Sequence, residues 1–80
     1  MENRMAILGI FIYDIEQSEQ VNALLHTYGQ YIIGRLGIPH RDREVSVICV
    51  VLDAPNDIIS ALAGKLGRLP GVQVKAQYGK

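Results

Sequence analysis

The sequence lacks several features, and each absence excludes a class of protein. Its 80 residues contain one cysteine, Cys49, so no internal disulfide can form and a reducing compartment is indicated. Eight basic and eight acidic side chains cancel, which leaves no net positive charge to attract nucleic acid or an anionic membrane. No apolar run reaches the roughly 18 residues that a membrane-spanning helix needs. We therefore expect a soluble, cytoplasmic protein that does not bind nucleic acid directly.

Catalytic and metal-binding motifs are also scarce. The sequence has no CxxC, HExxH, P-loop or nucleophile-elbow motif. The candidate metal ligands His26, His40 and Cys49 do not have the close spacing of a metal site. We therefore expect that the protein is not an enzyme and that Cys49 is a thiol in the core. His40 and Cys49 remain weak candidates for metal binding, and they would need additional ligands from another subunit. The sequence names no cofactor.

The apolar pattern predicts a single α+β domain over residues 1–80 with the order β-α-β-β-α-β. Strands are predicted over residues 4–13, 30–38, 44–52 and 72–78, which are rich in β-branched residues or alternate between apolar and polar. This order is that of the ferredoxin-like fold, an antiparallel sheet with both helices on one face. Right-handed crossovers give the strand order 4-1-3-2, with strands one and three in the centre.

Two helices connect these strands. The first helix is predicted to begin after Asp14, since Asp14 followed by Gln17 three residues later is a capping-box pattern with Asp14 as the N-cap. It is predicted to end at Gly29. The second is predicted to open at Asp53-Ala54-Pro55 and to stop before Pro70. Its predicted buried stripe consists of Ile58, Ile59, Leu62 and Leu66.

Both central strands are apolar on both faces, although two helices can cover only one face. An antiparallel sheet that faces water normally alternates apolar with polar residues. Covering about six large side chains contributes on the order of 10 kcal/mol. We therefore predict a homo-oligomer, a dimer or tetramer, formed through the helix-free face; the alternative is a partly wet face. The side chains assigned to one face are Met5, Ile7, Phe11, Val45, Val47 and Val51, opposite Ala6, Leu8, Ile10, Ile12, Ile48, Val50 and Leu52.

Polar residues near the strand ends are the candidates for ligand binding. Asp14 and Asp53 each follow a central strand and are expected at the same edge of the sheet, where two helix N-termini present unpaired N–H groups. The glycines of strand two permit close backbone approach. The candidate ligand-binding residues are Asp14, Gly34, Arg35, Gly37, Asp53 and Asn56. Two alternatives stay open. The first is that each aspartate only caps a helix. The second is that Arg35 belongs with His40, Arg41 and Arg43 to a solvated hairpin and does not contact an anion.

The stretches YIIGRLGIP, VLDAPND and ISALAGKLGRLPGV, between Tyr31 and Val72, resemble small proteins described as regulators of the iron-only hydrogenase system. The resemblance covers nearly the whole chain. It implies a ferredoxin-like fold related to ACT domains, which bind small effectors at subunit interfaces, and it extends to the metal-sensing C-terminal domain of the nickel-responsive repressor. That repressor's nickel site uses three histidines and a cysteine, which His26, His40 and Cys49 do not supply alone, and we expect no counterpart of its DNA-binding arm.

These observations give the hypothesis of a non-enzymatic regulatory module. It would be an ACT-like homo-oligomer that binds a small effector or a protein partner and that is linked to the iron-only hydrogenase system. The alternative is a metal-sensing domain for nickel or another transition metal, or a direct transcriptional regulator. A small enzyme ranks lower, because no histidine or cysteine has an evident acid–base partner.

Overall fold

The computed structural model describes residues 2–40 and 44–79. Its elements confirm the predicted order β-α-β-β-α-β. They are β1 (Asn3–Ile12), α1 (Ser18–Thr27), β2 (Ile32–His40), β3 (Val45–Pro55), α2 (Asn56–Gly67) and β4 (Val72–Tyr78), with short 3-10 turns at Ile15–Gln17 and Gly29–Tyr31. Over these ranges neither helix combines the length and the apolar character that crossing a membrane requires.

The four strands form one antiparallel sheet in the order β2-β3-β1-β4, which is the predicted order read from the other edge. In the centre of the sheet Leu8 of β1 lies between Val50 of β3 and Ala76 of β4. The pairing of β2 with β3 shifts register between Ile32 and Gly34. The ferredoxin-like fold is therefore confirmed, with β2 and β4 as the edge strands.

The core lies between the sheet and the two helices. Every second residue of the central strands points toward the helices, because successive side chains of a strand face opposite sides. The stripe predicted for the second helix is confirmed, with Ile58 only partly buried. The buried residues of the core are Ala6, Leu8, Ile10, Ile12, Val21, Leu25, Tyr28, Ile48, Val50, Leu52, Ala54, Ile59, Leu62, Leu66 and Val72.

Helix α1 starts later than the sequence predicts. The Oδ1 atom of Asp14 accepts a hydrogen bond from the N–H of Glu16 at 3.1 Å. The N–H of Gln17 instead binds the backbone carbonyl of Asp14 at 2.9 Å. Asp14 is therefore an N-cap as predicted, but of a 3-10 turn, and the α-helix begins only at Ser18.

Two other helix ends also differ from the prediction. Tyr28 is the C-cap of α1, and its side chain is buried. Gly29 begins a 3-10 turn and does not cap the helix. Strand β3 continues to Pro55, so Asp53 is a strand residue and α2 begins at Asn56. The strand is longer than predicted because the fully buried Ala54 still pairs with β1.

Candidate functional site

The face of the sheet that carries no helix is apolar across three strands. We call it the helix-free face. Met5 and Ile7 of β1 are 43% and 46% exposed, and Leu36 and Ile38 of β2 are 61% and 51% exposed. The prediction of apolar residues on both faces of β1 and β3 is confirmed, and β2 extends the apolar surface. Its apolar members are Met5, Ile7, Phe11, Leu36, Ile38, Val47, Cys49 and Val51.

The helix-free face has polar side chains along one edge and small residues at its centre. Strand β4 contributes the exposed side chains of Gln73, Lys75 and Gln77 along one edge. In the middle, Gly9 pairs with Cys49, so that small residues are surrounded by larger apolar ones. The exposed apolar area therefore runs from the centre to the β2 edge, with polar residues along the β4 edge, and an exposed apolar patch of this kind is typical of protein–protein interaction sites.

Cys49 is on the helix-free face and not in the core. It is partly exposed, whereas its neighbours Ile48 and Val50 are buried under the helices. The prediction of a core thiol is wrong because odd-numbered positions of this part of β3 point away from the helices.

On the other side of the sheet, a cleft of about 270 Å³ opens between α1 and the β2–β3 hairpin. It lies at the end of the sheet where β1 ends and β3 begins. Its lining combines polar side chains from α1 and β2 with aliphatic residues of the sheet. The lining residues are Ile12, Ser18, Asn22, Arg35, Gly37, Ile38, Ser46, Val47 and Ile48. We call it the α1–β2 cleft.

A chain of hydrogen bonds positions Arg35 in the α1–β2 cleft. An Nη atom of Arg35 donates to Oδ1 of Asn22, and Nδ2 of Asn22 donates to the backbone carbonyl of Ser18 at 2.9 Å. Arg35 points toward α1 because it pairs with Val50, a residue buried beneath the helices. The guanidinium is thus held at the cleft by a neutral amide.

Gly37 keeps the floor of the α1–β2 cleft open. It pairs with Ile48, and a Cβ placed on Gly37 would lie 3.9 Å from Cγ1 of Ile48. An alanine would therefore fit in ordinary van der Waals contact, whereas a larger side chain would occupy the cleft. Gly34 lies at the register shift of β2, and a Cβ there would meet nothing within 4 Å.

The expectation that Asp14 and Asp53 share one edge of the sheet is wrong. Strands β1 and β3 are antiparallel, so that Met5 pairs with Asp53 while Ile12 pairs with Ser46. Residues that follow these two strands therefore lie at opposite ends of the sheet. The six candidate ligand residues do not form one site.

Asn56 and Asp53 lie near the end of the sheet where β1 starts. The Oδ1 atom of Asn56 accepts from Nη1 of Arg4 at 3.4 Å, and Nη2 of Arg4 donates to the carbonyl of Gly79 at 3.3 Å. The same guanidinium lies 4.7 Å from the ring centroid of Tyr78. Asn56 therefore helps Arg4 to connect α2 with the end of β4, which is a structural role.

The α1–β2 cleft brings together Arg35 and Gly37, two of the predicted residues, and adds three that were not predicted. The added polar residues are Ser18, Asn22 and Ser46. Ser18 and Asn22 are four residues apart on α1 and therefore share a helix face. That spacing beside the apolar stripe of α1 is the signal that would have indicated them. Arg41 and Arg43, grouped with Arg35 in the sequence, lie outside the described residues.

The weak metal candidates are not close together within one chain. Leu36 of β2 pairs with Cys49, and His40 lies four residues farther along β2. The backbones of His40 and Cys49 are therefore about 13 Å apart. His26 is exposed on α1, on the other side of the sheet. Over residues 2–40 and 44–79, no group of three His, Cys, Asp or Glu side chains could hold a metal ion.

Comparison with known proteins gives the family. The family model TM1266-like, described as "Iron-only hydrogenase system regulator, putative", matches residues 4–76. The chain belongs to the TM1266-like family. The resemblance seen in the motifs between Tyr31 and Val72 is thereby confirmed, and the matched residues include the helix-free face and the α1–β2 cleft.

A solved structure agrees with this assignment. The uncharacterized protein TM1266 from Thermotoga maritima is 41% identical to this chain, with a TM-score of 0.94. The match covers 99% of this chain and 100% of that one. No curated protein matches the chain. The TM1266-like family therefore gives the fold and a regulatory description.

Proposed function

We propose that this protein is a non-enzymatic, ACT-like regulatory module of the iron-only hydrogenase system. It acts in the cytoplasm as a homo-oligomer, assembled through the helix-free face, and binds a small effector or a protein partner. The description of the TM1266-like family supports the regulatory role. The observation that carries the assembly is the exposed apolar surface of β1, β2 and β3.

The energy available from covering this surface is large for a chain of 80 residues. Ile7, Leu36 and Ile38 expose about half of their area or more. Fully burying an aliphatic side chain contributes about 1.5–3 kcal/mol, so that these residues and their half-exposed neighbours contribute several kcal/mol. A domain this small has a marginal core, and a second subunit is one of the usual ways to stabilise it.

The size and charge of the face favour a second copy as the occupant. Four strands about 4.8 Å apart and about 3.3 Å long per residue cover roughly 500–600 Å² of flat area. The accessible surface of side chains standing on that area approaches the roughly 800 Å² per partner of a standard interface. The centre of the face carries no charge, because the cation Lys75 lies at the β4 border and the carboxylate of Asp53, which pairs with Met5, lies at one end, so two copies can meet without burying like charges at the centre.

Sedimentation velocity on matched variants tests the assembly. We expect the wild-type protein to sediment as a dimer or tetramer at micromolar concentration, and Ile7→Lys to sediment as a monomer because it places a charge in the middle of the interface. Ile15→Lys is the control, since Ile15 is 72% exposed outside the helix-free face. It should assemble as the wild type does.

A monomeric wild-type protein would contradict the proposed assembly. The same holds if Ile7→Lys assembles as Ile15→Lys does. Circular dichroism of each variant shows whether it keeps its fold, so loss of assembly can be separated from unfolding.

A metal-sensing domain is the second candidate function, and the position of Cys49 favours it. Because Cys49 is near the centre of the helix-free face, pairing of two faces would bring thiols of two chains close together. A shared site could then draw on ligands that one chain does not supply. Stoichiometric nickel binding that is lost in Cys49→Ser and in His40→Ala would support this function, whereas equal nickel content in wild type and variants would contradict it.

A further inference from the structure

We infer that the α1–β2 cleft binds a small organic anion, a carboxylate with a short aliphatic body. Its role as an effector depends on the proposed regulatory function, but the binding itself does not. The inference rests on four features of the cleft: its charge, the arrangement of its donors, its aliphatic floor and its size.

The charge of the cleft is positive. In the described part of the chain, its lining contains the guanidinium of Arg35 and no carboxylate. Among residues 2–40 and 44–79, its hydrogen-bond partner is the neutral amide of Asn22, which does not balance its positive charge. An arginine presents five N–H donors in a planar fork that matches a carboxylate in a bidentate way.

The donors of the cleft are held in place before a ligand arrives. Asn22 is anchored to the backbone carbonyl of Ser18, one turn earlier on α1, and it holds Arg35. The hydroxyl groups of Ser18 and Ser46 belong to the same lining and can donate to an oxygen anion. Fixed donors lose little conformational entropy on binding, which favours affinity.

The floor of the cleft is aliphatic. Ile12 and Ile48 are 2% and 7% exposed and line the cleft from the sheet. The missing side chain of Gly37 leaves room above Ile48. A ligand with a few carbon atoms next to its carboxylate would fill this space, whereas inorganic phosphate would leave it empty.

The size of the cleft suits a small ligand. A volume of about 270 Å³ is slightly below the roughly 300–1,000 Å³ of small-molecule sites. A carboxylate of about four to six carbon atoms can be accommodated in this volume. The inferred ligand class is therefore a short aliphatic monocarboxylate.

The cleft also shares its hairpin with the helix-free face. Gly37 faces the cleft, its neighbour Leu36 belongs to the helix-free face, and Ile38 belongs to that face while it also borders the cleft. A ligand in the cleft thus contacts the strand that carries part of the proposed interface. Binding must for this reason be measured separately from assembly.

Nuclear magnetic resonance titration of the ¹⁵N-labelled full chain tests the inference with three probes: butyrate, inorganic phosphate and the neutral analogue butyramide. We expect saturable shifts of the amides of Asn22, Gly37 and Ser46 with butyrate, weaker effects with phosphate and none with butyramide. Arg35→Gln should weaken butyrate binding at least tenfold, because a charge-assisted pair is lost. The control Arg68→Gln, an exposed arginine after α2, should bind as the wild type does.

Gly37→Val provides a second variant, because its side chain would fill the cleft without removing a charge. It should lose butyrate binding. The inference is overturned if butyrate causes no saturable shifts, if butyramide binds equally well, or if Arg35→Gln and Gly37→Val keep wild-type affinity. Phosphate binding as tightly as butyrate would overturn the aliphatic carboxylate in favour of a simple anion site.

The titration is repeated on Ile7→Lys, the variant expected to be monomeric. Unchanged butyrate affinity there supports a site contained in one chain. If the wild type sediments as an oligomer but does not bind butyrate, the cleft inference fails and the proposed assembly stands. If butyrate binds to a wild-type monomer, the assembly fails and the cleft stands.

Discussion

Gly71 lies against Asp14 so closely that a Cβ on Gly71 would be 2.7 Å from the Cβ of Asp14. Gly71 has a φ of +70°, and its carbonyl accepts a hydrogen bond from the N–H of Tyr13 at 2.7 Å. This contact joins the end of β1 to the start of β4. A side chain at position 71 would add left-handed backbone strain to a steric overlap, so the contact requires glycine.

Gly71→Ala should lower the free energy of unfolding by about 2–4 kcal/mol, because strain and overlap both act on the folded state. Urea denaturation at a fixed protein concentration measures the change. The same substitution at Gly64, an exposed position in α2 with nothing within 4 Å of its Cβ, should instead raise the free energy by about 0.5–1 kcal/mol. Equal stability of the two variants would contradict this account of the turn.

The contact between Tyr28 and Lys65 predicts a small loss of stability when Tyr28 loses its hydroxyl group. Its hydroxyl accepts a hydrogen bond from Nζ of Lys65 at 2.9 Å, and the same Nζ lies 5.3 Å from the centroid of the tyrosine ring. Tyr28→Phe should therefore lower the free energy of unfolding by about 0.5–1.5 kcal/mol. Tyr13→Phe is the matched control, since Tyr13 is 54% exposed, and its stability should equal that of the wild type.

The proposed assembly predicts that thermal stability depends on protein concentration. Association stabilises the folded state by mass action, so the thermal midpoint of the wild type should rise across a hundredfold increase in concentration. Ile7→Lys should show a constant midpoint, and Ile15→Lys should follow the wild type. A midpoint that stays constant for all three proteins argues against association.

Cys49 gives an independent chemical measurement of the same interface. Its thiol is partly exposed on the helix-free face, so docking of a second copy should protect it. We expect a thiol reagent to label Cys49 at least several times more slowly in the wild type and in Ile15→Lys than in Ile7→Lys. Equal labelling rates would mean that the face is open in the native protein.

The sequence predicts the fold because its apolar residues recur with the correct periods. Ile59, Leu62 and Leu66 share one helix face, and all three are fully buried. The expectation that Asp14 and Asp53 share an edge disregards the predicted strand order itself, because adjacent antiparallel strands end at opposite ends of the sheet. Arg35 and Gly37 are predicted as ligand candidates from their residue types and their position in a strand, which need no knowledge of distant residues.

The partners of Arg35 could not be predicted in the same way. Asn22 is 13 residues away in the sequence, and it reaches Arg35 only because the crossover from β1 to β2 places α1 over that part of the sheet. The exposure of Cys49 likewise depends on which face of β3 receives the helices. Neither property is local, so both had to come from the three-dimensional arrangement.

The two edges of the sheet have a consequence for solubility. Strand β4 carries Lys75, and β2 contains both a register shift after Ile32 and the residue Pro39, which has no N–H to donate. Lysines, irregularities and prolines on edge strands discourage further strands from pairing. In the proposed assembly, contact between two copies would cover the helix-free face of each, and a closed, symmetric pair would leave no such surface exposed. Protected edges and a face covered in the proposed pair would together give a particle of finite size instead of a fibril.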